Sequence, residues 1–147
     1  MQRVEELPPG RGTEFWAGVR AELPIIVGTT PFGFIFGVLA IAAGIPPLLA
    51  FGMSSIVFAG SSQFVGAQLI GSGAPALVIW LTTAVINARH LLYSAALAPY
   101  AQHLGRGWRW LLAYLLTDEA HVVTALRYEA LGPSPARHYF WLGSGLT

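Results

Sequence analysis

Cysteine is absent from this 147-residue chain, and lysine is absent too; its eight basic residues are all arginine. Without cysteine there is no disulfide, no thiol nucleophile and no thiolate ligand for a metal. Charge of either sign is scarce, at 10% of residues, where a soluble chain carries about a quarter. The scarcity is also uneven. After Glu22 no Asp, Glu, Lys or Arg occurs until Arg89. The formal net charge of +1 leaves no basic face for nucleic acid. The first twenty residues carry Glu5, Glu6 and Glu14 and no apolar stretch, so they do not read as a secretory signal.

Apolar residues are abundant, at 54% with mean hydropathy +0.58. A transmembrane helix needs roughly 20 apolar residues, so the uncharged stretch 23–88 has the length of about three crossings. The expectation is an all-α, polytopic transmembrane bundle forming a single domain over 1–147. Residues 1–12, with Pro8, Pro9, Gly10 and Gly12, read as a flexible tail. Residues 13–22 read as an interfacial helix, with Phe15, Trp16 and Val19 towards lipid and Glu14, Arg20 and Glu22 towards water. The membrane region is 23–147, with about four full spans: 23–44, 48–70, 76–98 and 108–128. Pro and Gly punctuate the gaps near 45–47, 71–75, 99–107 and 129–136. A fifth apolar segment starts near His138 and ends at Thr147, too short to cross, so the membrane region reads as incomplete at its C-terminus. With the N-terminus inside, the inner flanks would hold Arg3, Arg11, Arg20, Arg127 and Arg137, and the outer flanks Arg106 and Arg109.

The centres of the four spans carry the chemistry. They fall on Pro31-Phe32-Gly33, on Ala59-Gly60-Ser61-Ser62-Gln63, on Asn87 with Arg89 and His90, and on Asp118 with Glu119 and His121. A charge at the bilayer centre costs about 2.5–3.5 kcal/mol on insertion scales. Pro and Gly there free backbone groups that protein, water or ligand must satisfy. Interrupted helices at the midplane, with non-helical backbone or a kink, are therefore expected near Pro31 and between Ala59 and Gln63. Each feature has a structural reading too. Gly33 and Gly37 suit close helix packing, the serines suit interhelical hydrogen bonds, and Arg89 needs a counter-charge, for which Asp118 or Glu119 would serve. Thr83, Asn87, His90 and Ser94 share one helical stripe, whereas Arg89 points elsewhere unless the helix is irregular there. The string Asp118-Glu119-Ala120-His121 resembles a helicase motif, but no phosphate-binding glycine loop accompanies it. Asp118-x-x-His121 also resembles half of a di-iron site whose other half is missing. No metal, cofactor or enzymatic role is assigned.

Four blocks occur in order: Pro31-Phe32-Gly33 with Gly37; Phe58-Ala59-Gly60-Ser61-Ser62-Gln63-Phe64; Asn87-Ala88-Arg89-His90-Leu91-Leu92-Tyr93-Ser94; and Leu116-Thr117-Asp118-Glu119. Together they resemble the larger subunit of the AzlC-type branched-chain amino-acid permeases, over about residues 15–147. The resemblance implies export of leucine, isoleucine, valine and methionine, driven by an ion gradient. It also implies a small hydrophobic partner subunit and a multi-pass place in the bacterial inner membrane. The substrate-binding residues expected on this reading are Phe32, Gly33, Gly60, Ser61, Ser62, Gln63, Asn87 and Arg89. Asp118, Glu119 and His121 are the expected proton-coupling groups, and Phe32, Phe58 and Phe64 the aliphatic selectivity surface. The alternatives are a channel-like facilitator of a small solute and a non-transporting assembly subunit.

Overall fold

Two glycine caps set the frame. Gly44 (φ 76°) and Gly73 (φ 71°) each end a helix in the left-handed conformation that glycine adopts without steric cost. The same hydrogen bonds close both ends: Ile45 N–H to the Ala40 carbonyl and Ala74 N–H to the Leu69 carbonyl. Pro46-Pro47 and Pro75 then start the following helices, where a missing N–H costs nothing. The computed structural model describes residues 10–57 and 59–147. The expected tail up to residue 9, and Phe58, lie outside the described residues. All regular elements among the described residues are α-helices: α1 Arg11–Ala42, α2 Pro47–Ile56, α3 Gly60–Gly71, α4 Ala76–Asn87, α5 Arg89–Ala101, α6 Arg106–Tyr114, α7 Asp118–Leu131 and α8 His138–Gly145. They fall into two compact units, a middle unit of residues 26–95 and a terminal unit of residues 1–25 with 96–147.

Among the described residues two helical stretches are long and apolar enough to cross a membrane: Arg11–Ala42, and Ala76–Ala101 taken as one. The remaining expected spans come out differently. Expected span 48–70 is two short helices, α2 and α3, separated at 57–59. Expected span 108–128 is α6 and α7, separated at 115–117. The expected interfacial helix over 13–22 is continuous with α1, which also absorbs Gly12 of the expected tail. Non-helical backbone is not found near Pro31, because α1 is helical from Arg11 to Ala42. Thr29 and Thr30 both donate to the Ile26 carbonyl, at 3.3 and 2.7 Å, whereas the carbonyl that Pro31 leaves without its helical N–H is that of Val27. Likewise Pro99 lies inside α5 instead of ending it.

In the middle unit α2 and α3 form a hairpin. Gln63 Nε2 donates to Ser54 Oγ at 2.9 Å, so the two helices run antiparallel about the break. α3 then runs parallel to α1. At its start Phe32 lies over Gly60, further along Phe64 stacks on Phe32 (4.1 Å) and Phe36 (5.9 Å), and at its end Gly71 faces Ala43. The pair therefore returns to the end of α1 from which it left. Phe36, Ala40, Ile45, Ala50 and Ala67 form the buried apolar core that holds it. At 1.5 Å per residue α3 is about 18 Å long, roughly half of a hydrocarbon core. α4 runs back antiparallel to α3, with Thr83 beside Gly66.

In the terminal unit α6 and α7 both flank α8. Trp108 packs on His138 and Tyr139, and Leu115 meets Gly145, so α6 runs parallel to α8. Thr124 meets Ser144 and the Arg127 guanidinium covers the Phe140 ring, so α7 runs antiparallel to it. The start of α1 crosses α8 backbone to backbone. A side chain at Gly18 would strike the Phe140 carbonyl, and one at Gly143 the Phe15 carbonyl.

Candidate functional site

The break between α2 and α3 precedes the poor helix formers Gly60-Ser61-Ser62. Val57 closes α2 with its N–H on the Met53 carbonyl. Ala59 is extended (φ −144°, ψ 96°) and buried. The break thus falls at 57–59, just ahead of the expected Gly60-Ser61-Ser62-Gln63, which forms the first turn of α3. No side chain caps this turn. Its N–H groups precede the first intrahelical bond, from Gln63 N–H to the Ala59 carbonyl (3.1 Å), and carry the positive end of the helix dipole. Ser62 is buried and spends its hydroxyl on the Ala59 carbonyl at 2.9 Å, fixing the break.

Arg89 reaches the same turn. Its Nη1 donates to Ser61 Oγ at 3.3 Å. The helix is irregular just before it: the Ala88 N–H is shared between the carbonyls of Ala84 (3.0 Å) and Val85 (3.2 Å), and α5 begins at Arg89. That irregularity turns Arg89 towards α3. A guanidinium and an uncapped helix N-terminus therefore converge at Ser61, which is favourable ground for a carboxylate.

Beside this turn lies a cleft of ≈ 430 Å³, within the size range of small-ligand pockets. Ser62, Gln63, Thr83 and Asn87 supply its polar atoms. Thr83 is occupied with the Ile79 carbonyl (2.8 Å), and Gln63 with Ser54 (2.9 Å). Asn87 Oδ1 is buried and accepts no hydrogen bond, so the cleft holds an unspent acceptor. The apolar wall is Met53, Val57, Ile70, Ile79 and Trp80, with Gly66 on the floor.

Six of the eight expected substrate residues thus gather here: Gly60, Ser61, Ser62, Gln63, Asn87 and Arg89. Phe32 covers Gly60 but stacks on Phe64 in the α1–α3 contact, outside the cleft lining. Gly33 lies on another face of α1, in an open groove with Thr30, Phe34, Gly37 and Val38. Sequence reasoning missed Met53, which lines the cleft because α2 folds back on α3, and Trp80 of α4.

The expected coupling residues belong to the terminal unit. Asp118 and Glu119 fill the first turn of α7, where a carboxylate favours the helix dipole. Thr117 caps that turn, its Oγ1 accepting from Ala120 N–H at 3.1 Å. His121 sits one turn on, its N–H bonded to the Thr117 carbonyl. The two interrupted helices thus have opposite chemistry: α3 begins with exposed donors, α7 with carboxylates.

The same unit contains an ionic cluster that sequence reasoning placed in water. Glu14 is wholly buried, its Oε1 3.2 Å from Arg127 Nη2 and 3.5 Å from Arg137 Nε. Glu22 is buried as well. Continuity of α1 with the membrane helix carries both carboxylates inward, and two arginines compensate Glu14. Nearby, burial and the adjacent His103 and Arg11 hold the His138 imidazole below its usual range. No group of three His, Cys, Asp or Glu able to hold a metal occurs among the described residues.

Comparison with known proteins places these features in a family. The family model described as AzlC protein matches residues 24–147. The inner membrane protein YgaZ of Escherichia coli (strain K12) is 36% identical over 112 residues, covering 76% of this chain and 45% of its own. The branched-chain amino acid transport protein AzlC of Bacillus subtilis (strain 168) is 30% identical over 127 residues, covering 83% and 48%. An uncharacterized membrane protein of Archaeoglobus fulgidus is 30% identical over 133 residues, covering 88% and 58%. The chain spans about half the length of these curated relatives. No solved structure matches.

Proposed function

Because this chain belongs to the AzlC family of membrane proteins, we propose that it is the substrate-binding part of a secondary transporter that exports branched-chain amino acids across the bacterial inner membrane. The observation that supports this most is the convergence of Arg89 and the uncapped start of α3 on Ser61, beside a cleft with an apolar wall. A zwitterionic aliphatic amino acid needs three things in a place of low dielectric. Its carboxylate takes the α3 N–H groups and Arg89. Its ammonium donates to Asn87 Oδ1. Its side chain lies along Met53, Ile79 and Trp80, in place of the phenylalanines that sequence reasoning assigned.

In this reading α1 and the Ala76–Ala101 stretch cross the bilayer, and α2–α3 is a re-entrant hairpin whose break lies at half depth. Irregular backbone is tolerated there because it lines a cavity. Asp118, Glu119 or His121 carries the coupling proton, as carboxylate and histidine chains do in pumps. A small hydrophobic partner subunit has surface to cover. Among the described residues no side chain approaches Gly28, Gly33 or Gly37 of α1 within packing distance, so that small-residue face is open to close helix packing.

The test is equilibrium binding of labelled leucine to the purified protein. A charge-assisted hydrogen bond contributes about 1.5–3 kcal/mol, so Arg89→Gln is expected to weaken leucine binding about tenfold to a hundredfold. Unchanged affinity would remove Arg89 from the site.

A further inference from the structure

The arginines of the terminal unit collect at one end of it. The Arg11 guanidinium lies over the Tyr139 ring. Arg127 and Arg137 share Glu14. Trp108 and His103 both pack on His138. The N-terminus of α1, the 102–105 loop, the start of α6 and the start of α8 are therefore neighbours. This corrects the expected assignment of Arg106 and Arg109 to a flank opposite Arg11. A continuous 108–128 span would have separated them, whereas the α6–α7 pair returns to its starting end.

α6 has two faces at this end. Leu112 is wholly buried, while Trp110 is 76% exposed and Arg106 and Arg109 are exposed beside it. These three residues line a shallow pocket of ≈ 290 Å³. Arg106 and Arg109 stand one turn apart and form no ion pair with a carboxylate among the described residues. No Asp or Glu occurs from 90 to 117. A short amphipathic helix with arginine and tryptophan on its outer face suits the headgroup layer of a bilayer. Paired guanidinium groups suit a phosphate, which accepts two parallel N–H donors from each. The indole offers an apolar wall to the glycerol and upper acyl chain that follow the phosphate in a lipid.

We propose that Arg106, Arg109 and Trp110 bind the phosphate of an anionic phospholipid. The site is separate from the cleft and does not depend on what the cleft transports. Free phosphate has the same charge chemistry but no use for the indole, and the lipid is favoured because the exposed tryptophan adjoins the arginines.

The experiment titrates the purified protein in neutral detergent with short-chain phosphatidylglycerol, with phosphatidylcholine of the same chain length, and with inorganic phosphate, reading bound lipid by native mass spectrometry. Phosphatidylglycerol is expected to bind and phosphatidylcholine to bind more weakly. An arginine near an anionic membrane surface contributes about fivefold in affinity, so R106Q/R109Q is expected to weaken phosphatidylglycerol about twenty-five-fold. R106K/R109K, which keeps the charge, should lose less. Trp110→Ala should weaken the lipid and leave phosphate unaffected. These side chains are exposed, and helical circular dichroism identical to that of the parent verifies the fold of each variant. Undiminished lipid binding by R106Q/R109Q overturns the proposal. So does equal binding of the two lipids. Displacement of the lipid by an equal concentration of inorganic phosphate would assign the pocket to free phosphate instead.

Discussion

Gly66 allows stability and binding to be moved in opposite directions by one methyl group. It lies in the middle of α3, buried, on the floor of the cleft. A Cβ added there would stand 3.5 Å from Thr83 Cγ2 and 3.8 Å from Met53 Cε, ordinary van der Waals contacts. Gly66→Ala therefore fits without displacing a neighbour. Replacing glycine inside a helix gains roughly 0.5–1 kcal/mol from the lost freedom of the unfolded chain. The same methyl protrudes where the substrate side chain is proposed to lie. One methylene in an apolar pocket is worth about 1–3 kcal/mol. Leucine binding should thus weaken at least about fivefold, and alanine binding should weaken less. Thermal unfolding followed by tryptophan fluorescence measures the first effect; competition between labelled leucine and unlabelled alanine measures the second. A variant that is more stable yet binds leucine as the parent does would refute the placement of the side chain in this cleft.

Two further outcomes follow from the terminal unit. Glu14→Gln leaves Arg137 buried without a compensating charge, and breaking a buried pair of this kind costs about 3–5 kcal/mol. Its unfolding midpoint in detergent should drop well below that of an exposed control such as Arg20→Gln. Asp118→Asn should abolish gradient-driven export by the complete transporter and leave exchange of labelled leucine measurable, because an amide keeps the shape of the carboxylate but does not take up and release a proton. Normal active efflux by this variant would move the coupling role to Glu119 or His121.

The membrane class was legible in the uncharged stretch 23–88, and the loop positions were legible in Pro46-Pro47, Pro75 and Gly132-Pro133. The polar residues of the cleft were legible because serine, glutamine, asparagine and arginine are costly in apolar segments. The path of the chain was not legible. An apolar segment such as 48–70 has the length of a crossing, and nothing in its composition says that it turns back. Its return depends on contacts between residues distant in sequence, Gly60 under Phe32 and Gly71 against Ala43. Proline at 31 reads as a break, yet α1 is helical through it. Glu14 reads as a solvated charge because its partners lie more than a hundred residues away.

The carboxylate subsite is the centre of the account, and the absence of cysteine makes it directly measurable. Ser61→Cys introduces a single thiol at the start of α3, where Arg89 now donates to the serine. The measurement is its rate of reaction with a charged methanethiosulfonate, alone, with leucine, and with leucinol, which keeps the ammonium and side chain but lacks the carboxylate. Leucine is expected to slow the reaction, and leucinol at the same concentration is expected to leave it unchanged. Equal protection by both compounds, or protection by neither, would contradict it.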